Sequence, residues 1–145
     1  METTWLLRTF DELTVAQLYA IVQLRERVFV VEQRCTYLDA DGLDRDARHF
    51  WAERGGEIAA YLRILPAGVK YAEVAIGRVV TTPEARGGGL GRDLMRRGIA
   101  ACGPVPIRIS AQAHLEDWYA ELGFKRASNI YDEDGIAHID MLRTP

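Results

Sequence analysis

The residues with the most evident chemistry stand together at Arg86-Gly87-Gly88-Gly89-Leu90-Gly91-Arg92. Three consecutive glycines free the backbone to reach positive φ and let a ligand approach the main chain without meeting a Cβ. Apolar residues then recur at helical spacing as Leu90, Leu94, Met95, Ile99 and Cys102, so the glycines open a helix. The first N–H groups of a helix have no internal partner, and the macrodipole makes that end attractive to anions. Arg86 and Arg92 add full charges beside it. The chemistry implied is the cradling of a pyrophosphate. A P-loop would need a Gly-Lys pair, and none occurs in the chain. A dinucleotide fingerprint starting at Gly87 would need a third glycine where Arg92 stands.

Proton-transfer chemistry needs groups of a different kind. By residue type the bases on offer are Glu32, Glu73, His49 and His138, histidine titrating nearest neutrality. The run Asp39, Asp41, Asp44, Asp46 invites a metal test. An EF-hand register through Asp39, Asp41 and Gly42 would begin at Tyr37 and end at Arg48, where a bidentate Glu is required. It fails at both ends, and no metal is expected. The run reads as solvated turn chemistry, or as a negative lip attracting a cationic acceptor. Cys35 and Cys102 are too few for a disulfide framework, and a reducing cytoplasm is expected.

The elements that position these groups follow from patterning. Thr4–Leu7 reads as a strand. Thr14-Val15-Ala16-Gln17 is a capping box opening a helix that buries Leu18, Ile21, Val22, Val28 and Phe29 and runs to about Val31. His49–Glu53 and Glu57–Leu65 flank Arg54-Gly55-Gly56, a hairpin signal. Val74–Thr81 is a buried central strand rich in β-branched residues, stopped by Pro83. The glycine turn and its helix follow, closed by Gly103-Pro104. Val105–Ser110 is a fifth strand. Leu115, Trp118, Tyr119 and Leu122 form a short amphipathic helix ended by Gly123. Lys125–Asp132 and Ile136–Arg143 flank Asp134-Gly135, a type I′ turn signal.

At 145 residues, 48% apolar, the chain is expected to be one domain, 1–145, with a real core. Its net charge of −3 argues against nucleic acid or an anionic membrane as main partner. No apolar run is long enough for a membrane span, and no signal peptide is visible.

Arg86-x-x-Gly89-x-Gly91 resembles the (Q/R)-x-x-G-x-(G/A) phosphate-binding motif of the GNAT (GCN5-related N-acetyltransferase) superfamily. Trp118-Tyr119-x-x-x-Gly123-Phe124 is similar to that superfamily's aromatic-Tyr-x-x-x-Gly-Phe signature. Further segments look like its ElaA branch: Val28-Phe29-Val30-Val31-Glu32-Gln33, Cys35, Tyr37, His49, Ile76-Gly77-Arg78-Val79, Ala111-Gln112-Ala113 and Glu133-Asp134-Gly135-Ile136-x-His138. Thr36 and Ala137 depart from it, standing where proline is expected.

The resemblance implies an α/β fold in the order β-α-β-β-β-α-β-α-β-β. Its central sheet is twisted and mostly antiparallel, with six to seven strands and about four flanking helices. It implies acetyl-CoA as co-substrate, held by Val79, Val80, Thr81, Arg86, Gly87, Gly88, Gly89, Leu90, Gly91 and Arg92, and transfer of its acetyl group to a primary amine in a ternary complex. Tyr119 is then the candidate acid, its hydroxyl aimed at the coenzyme sulfur. A tyrosine near pKa 10 can donate toward a thiolate whose thiol titrates at about 8.5. The Val79 and Val80 backbone would stabilise charge on the thioester oxygen. Glu32, Gln33, His49, Glu73 and His138 remain the acceptor-side candidates, and a homodimer is left open. A competing class is a non-catalytic acyl-CoA sensor or interaction module on the same fold, since a fold hosts functions without fixing one.

Overall fold

The computed structural model describes residues 2–145. Its strands are β1 (Thr4–Thr9), β2 (Arg48–Arg54), β3 (Glu57–Leu65), β4 (Val74–Thr81), β5 (Ile107–Gln112), β6 (Lys125–Arg126), β7 (Tyr131–Glu133) and β8 (Ile136–Arg143). They make one sheet in the order β1-β2-β3-β4-β5-β8-β6, with β7 also on β8. Every pairing is antiparallel except β4 with β5. The helices are α1 (Val15–Arg25), α2 (Leu90–Cys102) and α3 (Glu116–Ala120). A mixed α/β fold of this order is what the sequence implies.

Local chemistry explains the helix boundaries. The Thr14 hydroxyl accepts from the Gln17 N–H at 3.0 Å while Gln17 Oε1 accepts from the Thr14 N–H, the expected capping box. α1 does not stop at Arg25 but widens into a π-helical stretch, Glu26–Glu32, ended by Arg34 at φ 57°. Gly103, at φ 77°, closes α2 just before Pro104.

The sheet is covered on both faces. Leu90, Leu94, Met95 and Ile99 of α2 and Tyr119 of α3 pack on Phe50, Ala52, Ala60, Leu62, Ile64 and Ile76. Ile21 and Leu24 of α1, with Val28 and Phe29, pack on Trp51, Tyr61 and Val80 from the other side. α2 lies so close to the sheet that a Cβ on Gly98 would stand 2.8 Å from Leu62 Cδ2.

Two irregularities in the sheet make room for a site. The β4–β5 ladder holds only Val74↔Ile107 and Ala75↔Arg108, after which the strands part. From Ile76 to Thr81, the β5-facing edge of β4 therefore has no ladder partner. The second is a bulge. Tyr61↔Val80 and Arg63↔Gly77 set three steps of β4 against two of β3, and Arg78 takes φ 53°. The extra residue puts Val79 on the same face as Ile76 and sends Val80 to the α1 face. Unbulged alternation would do the opposite.

Two expectations need correction. The strand expected over Lys125–Asp132 is broken into β6 and β7, both on β8, which makes eight strands among the described residues where six to seven are expected. Between them Ser128 Oγ accepts from the Asp140 N–H, so a side chain takes a ladder bond. The α-helices number three among the described residues, the other helical pieces being π and 3-10 turns.

Candidate active site

The parted strands open a cleft of about 740 Å³. Val79, Val80 and Thr81 line one wall; Ile109, Ser110 and Gln112 of β5 with Tyr119 line the other. A second hollow of about 360 Å³ lies against Gly87, Gly89, Leu90, Gly91 and Arg92. Thr81 and Arg86 border both, so the two join end to end.

The smaller hollow is shaped for an anion. Gly89 stands at the N-cap of α2 at φ 83°, in the left-handed region where glycine is at ease, and no side chain caps the helix. Cβ atoms built on Gly87, Gly88 or Gly89 would meet nothing within 4 Å, so these glycines are not demanded by packing. They leave open space where helix N–H groups point, which fits a pyrophosphate. The two flanking arginines are engaged elsewhere: Arg86 Nη2 lies 2.8 Å from Glu32 Oε1, and Arg92 Nη2 2.5 Å from Glu121 Oε2. Both are exposed pairs of the kind worth little, and a phosphate can displace either carboxylate.

Tyr119 is buried against Trp118 and Phe124, edge-on to both, with centroids 4.9 and 6.0 Å away. It nevertheless borders the cleft. Burial alone pushes its hydroxyl up to about 12.

The acceptor-side candidates separate. Glu32, Gln33 and His138 line the cleft. Gln33 Oε1 accepts from Gln112 Nε2 at 3.1 Å, bridging from the π-helical turn to the end of β5. His138 Nδ1 is 2.8 Å from the Ile136 carbonyl, its Nε2 is 3.4 Å from Glu133 Oε2, and its ring stacks on Tyr131. His49 and Glu73 are not in the cleft. His49 is wholly buried in β2, its Nδ1 2.7 Å from Tyr61 Oη and its Nε2 2.9 Å from the Asp44 carbonyl. Burial, helped by the nearby Arg25 and Arg63 charges, holds its pKa below the usual imidazole value. Glu73 lies just before β4 and is taken up by Arg108 at 2.9 Å.

Three of the four aspartates, Asp39, Asp41 and Asp44, are neither solvated nor a free negative lip, while Asp46 is exposed as the solvated reading expects. Arg25 Nε meets Asp39 Oδ2 at 2.8 Å and its Nη1 meets Asp44 Oδ1 at 2.7 Å. Arg63 holds Asp41 with both terminal nitrogens, at 2.8 and 2.6 Å. Arg78 Nε is 2.8 Å from Asp39 Oδ1. Three arginines thus neutralise three aspartates beneath the cleft. Burial alone would raise the Asp41 and Asp44 carboxyls. The arginines outweigh it and hold both below the ordinary carboxylate range. The sequence does carry a signal for this. Arg25 and Arg63 interrupt apolar segments, and an arginine in such a place is buried only if paired. Ser110 and His114, also in the cleft wall, carry no comparable signal.

A sheet parted between β4 and β5, with a glycine cradle at the end of the gap and a buried tyrosine along it, is the architecture of an acyl-coenzyme A-dependent acyltransferase. Residues 20–144 match the family described as "Acetyltransferase (GNAT) domain", and the chain belongs to that family. Within it the chain falls in the ElaA-like branch. It is 44% identical to "Protein ElaA" of Escherichia coli (strain K12) over 139 residues, covering 92% of this chain and 91% of that one. The crystal structure of Escherichia coli ElaA superposes with a TM-score of 0.92 at 40% identity, covering 98% of this chain and 99% of that one. An acyl-CoA N-acyltransferase from Pseudomonas aeruginosa superposes with a TM-score of 0.94 at 44% identity, covering 99% and 100% of the two chains.

Proposed function

We propose that the protein transfers an acetyl group from acetyl-CoA to a primary amine by direct attack in a ternary complex. The observation that carries this reading is the continuity of the two hollows. A pyrophosphate-sized cradle at the N-terminus of α2 runs through Thr81 and Arg86 into a cleft walled by a free strand edge, Tyr119 and His138. Bound there, acetyl-CoA supplies an activated acetyl thioester.

This chain's own groups do the rest. Leu90, Gly91 and Arg92 offer helix N–H groups to the pyrophosphate, and Arg86 and Arg92 offer guanidinium charge. The unpaired edge of β4 offers its main-chain groups to an extended ligand arm as an added strand would use them. Backbone N–H at Val79 or Val80 would stabilise charge developing on the thioester oxygen.

An amine of pKa about 10.4 must lose a proton before it attacks. His138 is the base we assign. Its Nδ1–H donates to the Ile136 carbonyl, which leaves the lone pair on Nε2. Glu133 stands close enough to Nε2 to stabilise the imidazolium once formed. Tyr119 donates to the leaving sulfur. At about 12 its hydroxyl is a hydrogen-bond donor rather than a full acid, because complete transfer to a thiolate of pKa about 8.5 would be uphill by about 3.5 units, ~5 kcal/mol.

The test is to follow free CoA release from acetyl-CoA across a library of small amines, peptide N-termini and lysine side chains. Amine-dependent release supports transfer. Tight CoA binding with no release for any amine would favour the non-catalytic binder, for which neither a proton donor nor a base in the cleft has a use.

A further inference from the structure

The stretch Glu26–Glu32 and the loop between β4 and α2 are joined by two ion pairs of opposite sense. Arg27 reaches from the helical side to Glu84, and Glu32 receives Arg86 from the loop side. The second pair joins two functions. Arg86 borders the pyrophosphate cradle as well as the cleft, whereas Glu32 borders the cleft alone. The pair is bidentate, with Arg86 Nη2 2.8 Å from Glu32 Oε1 and Nη1 3.2 Å from Oε2. Both carboxylate oxygens are therefore occupied by Arg86. Gln33, the next residue, is tied to Gln112 across the gap where β4 and β5 part. Glu32 thus stands where the cradle opens into the cleft.

We propose that Glu32 is the carboxylate that receives the acceptor's ammonium group, and that the coenzyme uncovers it by taking Arg86. The inference rests on the acyltransferase reading above. A pyrophosphate presents more charge and more acceptor oxygens to a guanidinium than one carboxylate does. The two side chains are 42% and 41% exposed, so their pair is weak and exchange is easy. Once Arg86 turns to the pyrophosphate, Glu32 keeps its charge and loses its partner. An alkylammonium restores one. The acceptor class this selects is a cationic primary amine whose charged nitrogen, or a second one beside it, lies at the end of the cleft that meets the cradle. Acceptor binding then becomes conditional on coenzyme binding, a positive coupling that works in both directions.

The competition has a measurable sign. Glu32→Gln frees Arg86 in advance, so the variant binds CoA about two- to five-fold more tightly than the native protein, the range an exposed ion pair supplies. Pantetheine, which has no pyrophosphate, binds both proteins equally. In an Arg86→Gln background the Glu32→Gln change no longer alters CoA affinity, so the double-mutant cycle closes on this pair. With CoA bound and ionic strength held constant, 1,4-diaminobutane binds the native protein at least five-fold more tightly than Glu32→Gln. Unchanged or weaker CoA binding by Glu32→Gln would overturn the proposal, and so would equal or absent diamine binding in the two proteins. Native protein that fails to bind CoA at all would overturn the acyltransferase reading with it. CoA binding that Glu32→Gln leaves unaltered overturns only the role of Glu32.

Discussion

Arg78 Nε lies 2.8 Å from Asp39 Oδ1, and Arg78 is the residue whose φ of 53° makes the bulge in β4. A non-glycine residue in that region is held there by its surroundings. The anchor sits in the long loop before β2, while the bulge it secures turns Val79 and Val80 at the cleft wall. The unpaired strand edge along the cleft is thus fixed by charges packed beneath it.

Asp39→Ala should therefore cost both stability and coenzyme binding. It takes one carboxylate from each of Arg25 and Arg78, leaving Arg25 with Asp44 and Arg78 with Asp41, in a place where Arg25 has almost no contact with water. Removing one member of a buried pair costs about 3–5 kcal/mol where the other charge is left bare, and the surviving carboxylates hold the loss here to the lower end, about 3 kcal/mol. Urea unfolding should show a loss of that size. A loss below about 1 kcal/mol would mean the network does not anchor the bulge.

Acid should destabilise the protein in two stages. His49 has a folded pKa below its unfolded one, so the unfolded chain binds a proton first. Stability falls as pH drops below about 6.5 toward the folded value. Asp41 and Asp44 are also depressed, and their contribution is complete above about 3.9 and lost as pH falls further through their folded values. In His49→Gln the first stage should vanish from the pH profile of unfolding free energy while the second remains. A profile identical to the native one would assign the first stage to another group.

How much of this was legible in the sequence depended on how local the cause was. The capping box at Thr14, the turn at Asp134-Gly135 and the glycine opening of α2 are set within a few residues, and each stands where the residues placed it. The aspartate network departs from the solvated turn expected of it because its arginines lie 14 to 39 residues away, on α1, β3 and β4. Nothing near Asp39 says that they converge on it. The same holds for the histidines. His49 and His138 look alike in sequence, yet sheet register sends one into the core and the other into the cleft. The bulge at Arg78 could not be seen either, because it exists only as a mismatch between two strands.

Tyr119→Phe should lower kcat by about 100-fold, the cost of removing one donor to charge that develops in the transition state, and leave CoA affinity nearly unchanged. The ring stays, so its contacts with Trp118 and Phe124 survive, and only the hydroxyl is lost. The deficit should shrink with an acyl donor whose leaving thiol is more acidic. Native turnover in the Phe variant would make Tyr119 a packing residue.

Gly91→Val should abolish coenzyme binding in a protein that still folds. A Cβ there meets Thr81 Cγ2 at 3.6 Å and Trp118 Cζ2 at 3.8 Å, ordinary contacts, so its first atom is accommodated. The added methyls crowd the cradle wall. Kd for CoA should rise at least about 100-fold, ~2.7 kcal/mol, with the melting temperature of the free protein within a few degrees of native. Native affinity in this variant would place the pyrophosphate elsewhere.

Whether the joined hollows hold an acyl-coenzyme A is read out by thermal unfolding with acetyl-CoA. A ligand at 100 times its Kd that binds only the native state adds about 2.7 kcal/mol, a rise of several degrees for a chain of this size. The rise should be smaller with pantetheine, which leaves the glycine cradle empty. No shift at millimolar acetyl-CoA would contradict the account.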